Sequence, residues 1–377
     1  MPIGNPINPN FSTINEIDSK TSDHPMLGNI GHFVTVEYFI GSPLQFKNES
    51  YFLPNTMTSY FSVNGINCTK CADWDDKLSL YNRTNSTTAY FDTEIDYMVN
   101  YGKFEAKGYR GTDRVCWKDN DDDCIKNVTI VDIQEYSPSD FTPPIDKHFG
   151  GFFGLNPIDT GLGWSNAPSM IERMFTDHII DRRQATLWYR YKHKGSGLIF
   201  GDHSMDYYKD KKTHNFTLSS TSPFTDLQPN PIWTLNLSDT LFNNKTVHKT
   251  GVKVALIDTD QPTIWVPKSD FEEIANKLSK IDDITCTDTY CASTKKKCDK
   301  ICSKVNKDDW KWKEDNWIGN LTFVINDTWF NLPCEAFTES GTNDTDIKCD
   351  IKIDGSHDEY RFGIPFLESF TTTFNYQ

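Results

Sequence analysis

Aromatic and β-branched residues recur along this chain in short runs cut by turn residues, a pattern of strands rather than helices. His32 to Ile40 is aromatic and β-branched with partial alternation, and Gly41-Ser42-Pro43 stops it. Ile95 to Tyr101 reads as a strand entering a turn at Gly102. Arg114 to Trp117 and Val128 to Ile133 flank the polar run Lys118 to Asp123, which predicts a hairpin with an acidic tip. Cys116 and Cys124 stand on either side of that tip and could close it. Two stretches carry helical spacing instead. Ala167 to Phe175 has Pro168 early and ends near Asp177-His178. Lys268 to Leu278 offers Ser269 or Asp270 as an N-cap, with Glu272 and Glu273 in the first turn. The segment 282–313, rich in Lys, Asp and Cys, reads as a disulfide-tied surface excursion.

An approximate repeat organises these pieces. In the second half the apolar strand Ala255-Leu256-Ile257 ends in Asp258-Thr259, and Arg361-Phe362-Gly363 follows, with Gly363 105 residues after Asp258. In the first half Tyr51 to Thr56 is followed by Phe152-Phe153-Gly154, with Gly154 101 residues after Leu53. Two halves, each with a strand-loop and a later apolar-Gly strand, indicate duplication of one β unit.

Composition narrows the function classes. The 377 residues include 38 basic and 53 acidic ones, a net charge of −15, which leaves no basic face for a phosphate backbone. No nucleic-acid partner is expected. An aromatic fraction of 14% supplies ample core, and no run approaches the 18 apolar residues of a membrane span. The nine His show no metal spacing, the acidic run 118–123 lacks the calcium-loop pattern, and Cys68-Thr-Lys-Cys71 has no second pair at zinc spacing. No metal or cofactor is expected.

Two features place the chain in an oxidising compartment. The ten Cys form an even set, mostly in close pairs. Twelve N-x-S/T sequons are present, at Asn10, Asn48, Asn67, Asn82, Asn85, Asn127, Asn215, Asn236, Asn244, Asn320, Asn326 and Asn343. The motif arises about five times by chance in a chain of this make-up. The expectation is a secreted or endolysosomal glycoprotein with disulfides. Met1 to Asn5 shows neither the basic nor the apolar region of a signal peptide, so a leader removed beforehand is expected.

Six motifs in order resemble the pepsin-like aspartic proteases, from about Leu27 to Gln377. Ile40-Gly41-Ser42-Pro43-Leu44-Gln45 resembles the family's Ile-Gly-Thr-Pro-x-Gln. Val99-Asn100-Tyr101-Gly102, with Gly108 and Asp113-Arg114-Val115, resembles the flap hairpin and the strand after it. Gly151-Phe152-Phe153-Gly154-Leu155 resembles Gly-Ile-Leu-Gly-Leu. Phe200-Gly201-Asp202 to Tyr208 resembles the opening of the C-terminal lobe, and Ile232-Trp233-Thr234-Leu235 its Trp-x-Ile/Leu strand. Arg361-Phe362-Gly363 to Leu367, then Phe374-Asn375-Tyr376, resemble the closing motifs. The resemblance implies an all-β, bilobal fold: two related β-barrel-like lobes around a central cleft, with few short helices. It divides the chain into an extension 1–26, an N-terminal lobe with flap 27–194, and a C-terminal lobe 195–377 containing the excursion 282–313.

The family's chemistry needs two carboxylates, one from each lobe, sharing one proton. The ionised one activates water and the protonated one polarises the scissile carbonyl. The sequence departs from that pattern twice. Between Gly41 and Ala72 there is no Asp, and the only carboxylate is Glu49 inside a sequon. The reading sets Leu53 at the lost first position. The second loop keeps Asp258-Thr259 but continues Asp260-Gln261 where the family has Gly-Ser/Thr. Asp258 with Asp260 could be proposed as a substitute dyad, though both come from one lobe. Tyr101 and Gly102 are expected at the flap tip, lining the substrate groove. Cys68 and Cys71 are counted among the disulfide cysteines, Cys116 is expected to pair with Cys124, and Cys349 with either Cys302 or Cys334. The expected function is a catalytically inactive monomer binding a peptide, protein or other ligand in its groove. The alternative is an aspartic endopeptidase with a non-standard site around Asp258.

Overall fold

A computed structural model describes residues 36–46, 51–69, 71, 80–92, 97–100, 105–117, 124–137, 149–156, 169–188, 197–201, 214–216, 233–280, 284–290, 297–305, 319–333, 336–343, 346–351 and 353–376. The chain forms two compact units. One holds Val34–Lys212 together with the C-terminal Thr371–Gln377, and the other holds Thr213–Phe370.

The first unit is built on β1 (Val36–Glu37), β2 (Phe39–Ile40), β3 (Tyr51–Asn55), β4 (Phe61–Asn64), β5 (Tyr90–Phe91), β6 (Tyr97–Asn100), β7 (Glu105–Cys116), β8 (Cys124–Ser137) and β9 (Phe149–Gly154). These form one sheet in the order β1-β3-β9-β4-β8-β7-β2, with β5 and β6 also pairing with β7. Its interior strand β9, Phe-Gly-Gly-Phe-Phe-Gly, is buried at every position, as a strand covered on both faces must be. Tyr38, Phe52, Phe61 and Phe153 pack there, with ring centroids of Phe52 and Phe61 4.9 Å apart and of Tyr38 and Phe61 5.2 Å apart. Burying each such ring contributes roughly 1.5–3 kcal/mol over leaving it exposed.

The expected hairpin arms are longer than the apolar runs alone indicated. β7 and β8 pair from Glu105↔Ser137 to Cys116↔Cys124, because bulges at Lys107/Gly108 and Asp113/Val115 let the ladder continue through polar stretches. Cys116 and Cys124 are disulfide-bonded, as are Cys68 and Cys71. The acidic tip itself lies outside the described residues. The first helix, α1 (Met170–Thr176), starts at Ser169, whose Oγ accepts from the Glu172 N–H at 3.2 Å. Next come β10 (Gln184–Trp188) and β11 (Gly197–Phe200), which pair with each other. The expected lobe division at 194/195 falls between these two partners.

The second unit opens with β12 (Thr234–Phe242), β13 (Lys245–Thr246), β14 (Val254–Ile257) and β15 (Ile264–Pro267). Helix α2 (Lys268–Leu278) follows, with the bounds expected from sequence. It buries Phe271, Ile274, Ala275 and Leu278, one stripe at helical spacing. Its N-cap is Pro267, not Ser269 or Asp270. The Asp270 carboxylate is instead buried and accepts from the Lys249 and Thr250 N–H groups at 2.6 and 3.0 Å and from the Tyr360 hydroxyl. Tertiary partners outcompeted the helix end for that carboxylate.

β16 (Ile284–Tyr290) and β17 (Lys297–Val305) then form a hairpin where the sequence suggested an excursion, and β18 (Leu321–Ile325), β19 (Thr328–Leu332), β20 (Thr338–Asn343), β21 (Asp346–Ile351), β22 (Ile353–His357) and β23 (Tyr360–Phe362) complete the unit. Its main sheet runs β19-β18-β12-β14-β23-β15-β22, and β16-β17-β21-β20 make a second. After α3 (Ile364–Ser369), the final strand β24 (Thr372–Asn375) pairs with β10 of the first unit's three-stranded sheet. The architecture is all-β with three short helices among the described residues.

The β7–β8 hairpin yields a check. Replacing Cys116 and Cys124 together by Ser is expected to lower stability by about 2–3 kcal/mol, read from denaturant unfolding of the first unit. Non-reducing peptide mapping of the unaltered protein is expected to recover the two cysteines in one linked pair.

Candidate functional site

Each unit carries the same strand arrangement, and its register identifies equivalent positions. In the first unit β3 runs parallel to β9, with Leu53↔Phe152, Pro54↔Phe153 and Asn55↔Gly154. β9 in turn pairs antiparallel with β4 through Ser62↔Phe152. In the second unit β14 runs parallel to β23, with Leu256↔Arg361 and Ile257↔Phe362, and the next residue, Asp258, donates its N–H to the Phe362 carbonyl at 3.1 Å. β23 pairs antiparallel with β15 through Trp265↔Arg361.

The two glycines fix the comparison. A Cβ on Gly154 would lie 2.6 Å from the Thr58 carbonyl, and a Cβ on Gly363 would lie 2.2 Å from the Gln261 carbonyl. Each loop therefore packs its backbone onto a glycine that no other residue can replace without displacement. Thr58 stands three residues after Asn55, and Gln261 three after Asp258. Ser62 and Trp265 each stand seven residues after the same pair. Both registers agree: Asn55 is the counterpart of Asp258, and Phe152 the counterpart of Arg361.

This differs from the sequence reading, which set Leu53 at that place. Leu53 lies two residues earlier, inside β3, buried and opposite Phe152. The count from sequence failed because the loop was placed by distance from flanking motifs. The Thr common to both loops, in Asn55-Thr56 and Asp258-Thr259, carried the signal. The Asn55 side chain is fully buried, and its Oδ1 accepts from the Met57 N–H at 2.7 Å. Thr56 and Thr259 are buried as well.

Asp258 has a partner that the sequence reading passed over. Its Oδ2 accepts from Arg361 Nη1 at 3.1 Å, and both side chains are buried, at 2% and 6% exposure. Arg361 Nε donates to Glu359 Oε1, and the guanidinium carbon lies 4.2 Å from the Trp265 ring centroid. Burial alone would lower the Arg361 pKa, but the charges of Asp258 and Glu359 and the hydrogen bonds to both raise it. The guanidinium therefore stays charged beside the Asp258 carboxylate. The signal was a cation in a run otherwise read as apolar-apolar-Gly. Asp260 is half-buried on the same loop, and Gln261 Nε2 donates to Thr263 Oγ1 at 2.6 Å.

The remaining expected residues fall as follows. Tyr101, Gly102 and Cys334 lie outside the described residues. Cys302 on β17 stands opposite Cys286, and Cys349 on β21 opposite Lys304. Among the sequon asparagines, Asn67, Asn85, Asn127, Asn215, Asn236, Asn244 and Asn326 are exposed, and Asn82 and Asn320 half-buried. Asn343 lies on β20, while Asn10 and Asn48 are outside the described residues. Among the described residues no group of three or more His, Cys, Asp or Glu could hold a metal ion, and no helix is long and apolar enough to cross a membrane.

The profile of the family described as eukaryotic aspartyl protease matches residues 39–377. No curated protein matches the chain.

The ion pair makes a quantitative prediction. Asp258→Ala leaves a buried guanidinium short of its carboxylate and is expected to cost about 3 kcal/mol in unfolding free energy. Asp258→Ala with Arg361→Leu is expected to recover most of that loss. A double-mutant cycle with no coupling between the two positions would contradict the pairing.

Proposed function

The chain belongs to the eukaryotic aspartyl protease family, and we propose that it is a member without peptidase activity: a secreted or endolysosomal glycoprotein that binds a peptide or protein ligand in the family's substrate groove. One observation carries the reading. At the position matching Asp258 in register stands Asn55, an amide, and no Asp occurs from Gly41 to Ala72. Peptide hydrolysis in this family needs a proton shared between two carboxyls. An amide neither takes a proton from water nor holds the shared one.

Asp258 is committed elsewhere, since Arg361 occupies one of its oxygens. A carboxylate engaged by a buried guanidinium makes a poor general base, because its negative charge is already matched. The loops have also lost their glycines, with Met57 and Asp260 at the equivalent positions. The groove reading assigns Tyr101 and Gly102 to the rim that would close over a ligand. The glycoprotein reading draws support from the surface placement of the described sequon asparagines. The even cysteine set and two disulfides suit an oxidising compartment.

The test is direct. Homogeneous protein from a secreting eukaryotic host, incubated with an unfolded protein substrate at acidic pH, is expected to yield no cleavage products where pepsin yields many. Loss of one carboxyl of the pair removes several kcal/mol of transition-state stabilisation, and each ~1.4 kcal/mol is about tenfold in rate. Cleavage by the unaltered protein that Asp258→Ala abolishes would establish the endopeptidase alternative instead.

A further inference from the structure

The second unit has a sheet edge that lacks the usual protection. β19 ends the main sheet and pairs with β18 alone among the described residues. Such an edge offers unpaired N–H and C=O groups to any other strand, and proteins blunt it with charge, proline or a bulge. β19, Thr-Trp-Phe-Asn-Leu, has no charge and no proline, and its ladder with β18 runs without a register shift. The opposite edge, β22, carries Asp354 and a register shift against β15.

The two-residue turn Asn326-Asp327 makes Ile325 and Thr328 the closing hydrogen-bonded pair, and such pairs alternate along an antiparallel ladder. Trp329 and Asn331 are therefore the residues whose backbone groups point away from β18. Trp329 is also 61% exposed. An uncharged run of high β-propensity, with an exposed tryptophan, is an association hazard at a sheet edge.

Sequons frame this edge. Asn326 lies in the turn before β19, about 10 Å along the strand from Trp329. Asn320 precedes β18 and is level with the far end of β19, since Leu321 pairs with Leu332. Two more sequon asparagines stand beside these on the inner side. The Asn326 N–H donates to the Asn236 carbonyl at 3.3 Å. Asn244 follows Asn243, which exchanges hydrogen bonds of 2.9 and 3.0 Å with Asn320. Asn236, Asn244 and Asn326 are exposed and Asn320 is half-buried. Turn geometry explains Asn244 and Asn326, at φ 59° and 45°, because asparagine tolerates the left-handed region. It does not explain Asn236, an exposed asparagine within β12, where this residue type is disfavoured. The acceptor motif explains all four.

We propose that N-linked glycans on Asn320 and Asn326, with those on Asn236 and Asn244 beside them, cover the β19 edge and keep a second copy of this chain from pairing with it. The inference rests on the glycoprotein reading above and is independent of the groove. A glycan is bulky and hydrated, so an incoming strand would have to displace it. Without glycans, Trp329 and the outward backbone groups of Trp329 and Asn331 face another copy directly.

Glycopeptide mapping of the full chain from a secreting eukaryotic host is expected to find glycans on Asn320 and Asn326. Asn320→Gln with Thr328→Val then removes both sequons while keeping Asn326 in its turn. In sedimentation velocity over a concentration series, the unaltered protein is expected to stay monomeric and the variant to form dimers or larger species. Adding Trp329→Lys, which charges the bare edge, is expected to return the variant to monomer. Should the variant not be secreted, enzymatic removal of glycans from the folded protein, with and without Trp329→Lys, makes the same comparison. A chain without sugar on either Asn320 or Asn326 would overturn the proposal. Glycans on other sequons would then leave the glycoprotein reading standing, whereas none at any sequon would end both. A variant that stays monomeric, or association that Trp329→Lys does not reduce, would also overturn it.

Discussion

A guanidinium buried in an interior strand of a sheet has to be matched by a carboxylate, and Asp258 supplies the match for Arg361. Neither charge could be held there alone, because burial penalises an isolated ion by several kcal/mol. Arg361 is fixed by its position on β23, between β14 and β15, with Trp265 against its face and Glu359 at its Nε. The loop carrying Asp258 is thereby defined from the sheet side. Asp258, from the loop that follows β14, is the buried counter-ion of that internal cation.

The first unit carries different residues at the matching register positions. At the place of Arg361 it has Phe152, buried in an all-apolar strand, and at the place of Trp265 it has Ser62. The same backbone register is kept in both units because Gly154 and Gly363 each receive a loop carbonyl where a side chain would clash. Fold and chemistry are thus held by different residues. The glycines and the parallel pairing preserve the loops, while Asn55, Met57, Asp260 and Arg361 alter what the loops can do.

Much of the fold was legible in the sequence, because strands covered on both faces read as near-continuous apolar runs and α2 carries a full helical stripe. β9, β14 and α2 are cases of each. Less legible were features decided by distant partners. Asp270 looked like a helix cap, yet the Lys249–Thr250 backbone and Tyr360 claim it. The Cys-rich stretch after α2 read as a disulfide-tied surface excursion, and within it alternation in Ile284–Tyr290 supports a strand paired with Lys297–Val305. The site was half legible. Asp258 was singled out from its Asp-Thr dipeptide, whereas the residue matching it in register, Asn55, stands two residues after the Leu53 expected from sequence, because only the parallel pairing with β9 fixes the position. Arg361 was read as part of a motif, and a lone charge in such a run has no one-dimensional explanation. Its partner is 103 residues away.

The most direct measurement is a crystal structure of the unaltered protein grown at acidic pH, with ordered water resolved around both loops. The account predicts Arg361 Nη1 within hydrogen-bond distance of Asp258 Oδ2, and Asn55 Oδ1 accepting from the Met57 N–H. Arg361 turned away from Asp258, with a water held between Asp258 and a second carboxyl, would contradict it.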